Sequence, residues 1–182
     1  MKRKQIASII IVSASIVAGI ALAAQDRYTV KVPGGLAFSE FRGYEGWQAI
    51  STSTTDKAVA VILGNPAMIE AYRAGIPANG KPVPDGAKMA KIHWTPKKNQ
   101  FFPTATVPGD MQNVDFMVKD SKRFSDSGGW GYAVFDYNTA SDTFTPGTTA
   151  GTPPQGNDAK CGFACHTIAK NRDYVFTEFQ KR

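Results

Sequence analysis

Residues 57–66 read KAVAVILGNP. The first seven, Lys57 to Leu63, are β-branched or apolar almost throughout, the composition of a strand buried on both faces. Asn65 is a strong N-cap, and Pro66 suits a first helical position, where its missing N–H costs nothing. The helix so started is expected to run to about Ala74 and to stop at Gly75. Strand, tight turn and a short helix in quick succession point to a sheet decorated with small helices.

Working outward, a Pro/Gly-rich loop from Ile76 to Gly86 leads into Ala87 to Thr95 (AKMAKIHWT). Period-two alternation there puts Met89, Lys91 and His93 on one face and Ala90, Ile92 and Trp94 on the other. The second face reads as core; the first carries a lysine beside a histidine. Pro96 to Asn99 reads as a polar turn and Phe101 to Gly109 as a loop. Val114 to Lys119 (VDFMVK) alternates again, with Val114, Phe116 and Val118 opposite Asp115, Met117 and Lys119. A helical turn around Ser121 to Phe124 and the Gly128-Gly129 break precede a strand from Trp130 to Tyr137, and Asn138 to Asn157 reads as a long surface connection. On the N-terminal side, Leu36 to Arg42 is expected to form a short helix with Phe38 and Phe41 on one side, followed by an extended run from Trp47 to Thr55. Strands in hairpin-like succession with only short helices imply an α+β domain built on a mainly antiparallel sheet.

Residues 1–23 have the pattern of a secretory signal peptide: Lys2, Arg3 and Lys4 begin it, Ile6 to Leu22 is mostly apolar, and Ala21-Leu22-Ala23 offers small residues to a peptidase. An uncleaved anchor is the alternative, but Ser8, Ser13, Ser15 and Gly19 interrupt the stretch. Cleavage leaves 24–182 as one domain and takes three basic residues and no acidic ones, so the net charge of +6 falls to +3. Neither that charge nor the secretory route suggests nucleic acid as a partner. The expected location is periplasmic.

The chemistry concentrates in residues 160–167, KCGFACHT, which hold both cysteines and one of the two histidines of the chain. Two thiols followed at once by a histidine suit covalent haem attachment: each thiol adds to a porphyrin vinyl group and the histidine reaches the iron. Cys161, Cys165 and His166 are therefore the candidate cofactor residues, with His166 the proximal ligand and one haem c per chain. Three residues separate the cysteines where the common motif has two, and Gly162 is flexible enough to absorb the extra one. A local disulfide and a zinc site are the alternatives, the latter lacking an obvious fourth ligand. The haem segment is expected to be a short helix from about Asp158 to Ala169 laid on the sheet. A tail from Asp173 to Phe179 would pack Tyr174, Phe176 and Phe179.

Taken in order, Lys57 to Gly75, Asp85-Gly86 followed by Lys91, the segment Val118 to Phe124, the strand Trp130 to Phe135, and Cys165-His166 followed by Asp173 to Thr177 resemble the cytochrome P-460 family. The resemblance implies a mainly antiparallel fold, usually homodimeric, carrying a five-coordinate c-type haem whose open face lies against the sheet. It matches Lys91 to a lysine that is cross-linked to the porphyrin in some members. It matches Asp115 to an acidic residue above the iron, where glutamate is the expected type.

With Asp115 over the iron, the implied function is hydroxylamine oxidation: substrate binds opposite His166, Asp115 takes protons, and electrons leave to an external acceptor such as a soluble cytochrome. Nitric oxide is a second small ligand of this reading. With Phe116 over the iron, the pocket would resemble the related cytochrome c-prime-beta, which binds nitric oxide or carbon monoxide without turnover. Electron transfer is a third reading and would need His93 or Met89 as sixth ligand.

Overall fold

The structure, a computed structural model, describes residues 24–32, 34–147 and 159–180. The expected signal peptide lies outside them. Six strands form one antiparallel sheet in the order β1-β2-β3-β4-β5-β6, comprising β1 (Gln48–Thr54), β2 (Val59–Gly64), β3 (Lys88–Lys98), β4 (Thr106–Lys119), β5 (Trp130–Asn138) and β6 (Thr143–Pro146). Helix α1 (Pro66–Arg73) joins β2 to β3. Asn65 caps it: its Oδ1 accepts from Met68 N–H at 3.0 Å and from Lys88 N–H at 2.9 Å, so one side chain both starts the helix and sets the entry to β3. The α+β architecture expected from the sequence is the one observed.

Each face of the sheet buries its own cluster. On one, Phe116, Phe135, Ala90, Ile92 and Val114 pack under a 3₁₀ turn, Phe38–Phe41, and its successor, Tyr44–Gly46. Phe41 stacks on Phe116 at 4.0 Å, and Phe38 and Tyr44 meet the Phe116 ring edge-on at 5.4 and 5.1 Å. On the other face, Ile62, Met89, Met117, Trp130, Tyr132 and Val134 pack with Met68 and Ile69 of α1 and Val175 of the C-terminal segment. Burial on both faces explains the unbroken apolar run of β2.

Three expectations of local structure are corrected. The polar turn expected at Pro96 is strand to Lys98, and the loop expected over 101–109 gives way to β4 at Thr106. Beyond Trp94 and Asn113 the β3–β4 hairpin extends past its neighbours, with Pro96 opposite Pro108. The outer edges are free there, so a proline removes no ladder hydrogen bond. The connection 138–157 contains β6, a short edge strand whose Phe144 is buried against Phe38 and Tyr137.

The C-terminal helix is shorter than expected: α2 (Phe163–His166) gives way at once to a 3₁₀ segment, Thr167–Arg172. Ala169 leaves helical geometry, and Asp173 and Tyr174 both adopt positive φ, so the chain cannot continue as one helix. The expected start at Asp158 lies outside the described residues. The tail packs as expected at Phe179, which stacks on Tyr72 at 5.5 Å, and at Tyr174, which meets Phe163. Phe176 stays half exposed beside His166.

Candidate functional site

Between the second face of the sheet and the C-terminal segment lies a cavity of about 530 Å³, within the range that holds a cofactor. Strand register determines its floor. Lys91 on β3 is the cross-strand partner of Asp115 on β4, which in turn faces Val134 on β5; one step along, Met89, Met117 and Tyr132 form the next row. Paired residues of adjacent strands share a face. The alternation that placed Lys91 with Met89 and His93, and Asp115 with Met117, is thereby joined into one surface.

The opposite wall holds Cys161 and His166. Tyr132 N–H donates to Ala159 carbonyl at 2.7 Å, and Lys160 forms a parallel bridge to Tyr132, so the cysteine segment is stitched to β5. Gly162 permits this closeness, because a Cβ there would sit 2.5 Å from the Tyr132 ring. Cys161 is buried and Cys165 exposed, and no disulfide joins them. Among the described residues no group of three His, Cys, Asp or Glu side chains gathers as a metal site.

His166 is set up as a ligand. Its Nδ1 lies 2.7 Å from the Tyr174 carbonyl. A carbonyl only accepts, so Nδ1 carries the proton and Nε2 keeps its lone pair. The ring lies between Tyr132 and Phe176, at 5.1 and 4.8 Å. Burial holds its pKa below the ordinary histidine value and Lys91 adds to the fall, against the Tyr174 bond and the charge of Asp115. Neutral imidazole is the form that binds metal.

Asp115 lines the cavity with its carboxylate held at both oxygens: His93 Nε2 lies 3.0 Å from Oδ2, and Asn113 Nδ2 donates to Oδ1 at 2.5 Å. Because a carboxylate only accepts, His93 donates through Nε2, and that nitrogen is not available as a sixth iron ligand. The carboxylate is thus occupied by these two neighbours, while Lys91, directly opposite, has no acceptor for its ammonium among the described residues. Phe116 lies along the same cavity, but its ring is 1% exposed and stacks on Phe41, on the face of the sheet away from His166, because alternation in β4 sends it opposite to Asp115; the expected ring over the cofactor is corrected to that extent.

The family model for cytochrome P460 matches residues 41–177, about three quarters of the chain. The chain belongs to the cytochrome P460 family. No curated protein matches it. Membership makes it a haem protein, and the residues present fit the group: a cavity with Ile62, Met89, Met117, Val134 and Val175 on its walls, a histidine with a free Nε2, and a cysteine beside it.

Sequence reading did not find the His93–Asp115–Asn113 cluster, although all three residues carry chemistry. Alternation within a strand shows which residues share a side; only the register between strands shows that Asn113 lies opposite His93. The Tyr174 carbonyl left no sequence signal at all, being backbone.

Gly162→Ala is expected to push the cysteine segment off Tyr132 and to lower the fraction of chains with covalently attached haem. A pyridine haemochrome assay on acid–acetone-extracted protein reads this directly; full attachment would show that the close approach is dispensable.

Proposed function

We propose that this is an exported c-type haem protein of the periplasm that oxidises hydroxylamine or a related nitrogen oxide, with one haem per chain tethered by Cys161 and Cys165 and ligated by His166. The observation that carries the reading is Asp115: a carboxylate on the cavity floor, in electrostatic reach of His166 and held by two donors. When bound, haem supplies the redox chemistry and a coordination position for a small ligand.

The chain supplies position and proton transfer. Asp115 Oδ1 and Oδ2 each retain a lone pair beyond the one engaged by Asn113 or His93, and either can take a proton from an N–H or O–H group of hydroxylamine. Fixing the carboxylate in advance spares its reorganisation during transfer. Lys91 lines the same cavity with an amine that has no acceptor among the described residues, which suits a lysine–porphyrin bond. Electrons would leave to an external acceptor such as a soluble cytochrome, and the family resemblance supports a homodimer.

The gas-binding alternative rests on aromatic crowding beside the iron. The cross-strand neighbours of Asp115 are Lys91 and Val134, neither of them aromatic, which favours turnover. The test is an absorption spectrum of the ferrous protein, matured in a host with haem-attachment machinery, followed by hydroxylamine oxidation with an added electron acceptor. A strongly red-shifted main band together with turnover is expected. An ordinary c-type spectrum without turnover would move the protein to gas binding, and absence of haem absorbance would overturn both.

A further inference from the structure

Two residues beyond Met117 of the cavity floor, at the end of β4, the chain buries an ion pair that the proposed reaction does not use. Lys119 at the end of β4 is 5% exposed, and its Nζ donates to both carboxylate oxygens of Asp173 at 2.8 Å and to the Gly128 carbonyl at 2.9 Å. The ammonium also lies 5.2 Å from the Trp130 ring. Asp173 is held from two more directions: Val83 N–H donates to Oδ2 at 2.7 Å, and Trp130 Nε1–H donates to its backbone carbonyl at 2.8 Å.

The backbone at this point is strained. Asp173 and Tyr174 have φ of 48° and 64°, two consecutive non-glycine residues in the left-handed region that side chains disfavour. The turn ahead of β5 makes room with Gly128, where a Cβ would lie 2.2 Å from the Tyr174 ring. Strain of this kind persists only where the surroundings over-determine it. Its product is one carbonyl, that of Tyr174, aimed at Nδ1 of His166.

We propose that Lys119 and Asp173 are a positioning pair for the axial histidine: by locking the Asp173–Tyr174 turn they fix the Tyr174 carbonyl, and through it the orientation and basicity of His166. The inference rests on His166 being the iron ligand. A hydrogen bond from the distal ring nitrogen raises the basicity of the ligating one and stabilises ferric iron. A loosened carbonyl therefore weakens the iron–histidine bond and raises the reduction potential.

The test replaces the pair by apolar residues, Lys119→Met with Asp173→Leu, because an uncharged pair avoids stranding a buried charge. Asp173→Asn alone is the second variant, keeping the side-chain shape while weakening the lock. In holoprotein the iron–histidine stretching band of the ferrous form, read by resonance Raman, is expected to move to lower frequency in both variants. The reduction potential is expected to rise, and Glu40→Gln, which weakens the remote ion pair with Arg123, is expected to move neither. Folded variants with native frequency and potential would overturn the proposal. A native chain whose His166→Met variant keeps an unaltered iron–histidine band would instead overturn the ligand assignment, and the positioning role with it.

Discussion

Asp115→Asn is expected to lower hydroxylamine oxidation by about 10²–10⁴-fold, the range associated with loss of a general base. Asparagine keeps the shape but is not a base. It also disturbs the cluster, since one end of the amide is a donor where both Asp115 oxygens now accept, from His93 and from Asn113. A donor facing a donor must turn away or find water. Binding of nitric oxide needs no proton transfer, so its association rate, measured by stopped flow, should be unchanged. Steady-state turnover in the same preparation gives the comparison. Native turnover in Asp115→Asn would remove the carboxylate from the reaction; slowed nitric oxide binding would mean that it shapes the pocket.

Phe116→Ala is expected to do the reverse. The ring is fully buried among Phe38, Phe41, Tyr44 and Phe135, and its deletion leaves a cavity in the middle of a packed aromatic cluster. Such truncations cost about 3–5 kcal/mol. For a domain of this size that corresponds to a fall in Tm of roughly 10 °C. Because the ring faces away from His166, the absorption spectrum and the turnover per folded molecule should stay native. Calorimetry and spectra of one preparation test both halves. A changed spectrum in a variant of native stability would put the ring back at the cofactor.

The two neighbours in the chain thus separate function from folding, and they do so by the alternation of a single strand. That alternation was legible in VDFMVK. Which of its two faces met the cofactor was not, because each face carried a residue suited to one plausible pocket. The answer depends on where the Phe38–Phe41 turn and the C-terminal segment dock, and docking is set by contacts distant in sequence.

Elements with strong local signals were readable: the apolar run of β2, the Asn65-Pro66 helix start and the alternation of β3; of the cysteine segment, the structure brings Cys161 and His166 to the cavity and leaves Cys165 exposed. Weak or misleading signals failed in physically specific ways. Prolines at 96 and 108 looked like breakers, yet they lie opposite each other where the hairpin has free edges. β6 is four residues held mainly by Phe144, too little periodicity to separate from a loop. The C-terminal helix expected to about Ala169 ends at His166 because the chain tightens into a 3₁₀ segment that leaves helical geometry at Ala169, and nothing local announces that change.

By itself, then, the sequence determined the α+β class, most of the strands, the face shared by Lys91 and His93, and membership of a haem-carrying family, because propensity, period and motif order are read along the chain. Only the tertiary structure decided that Asp115 presents its carboxylate to the cavity while the ring of Phe116 packs into the opposite face, that His93 and Asn113 hold that carboxylate, and that the Tyr174 carbonyl meets His166. Those outcomes depend on strand register and on packing between segments many residues apart, which no local pattern encodes.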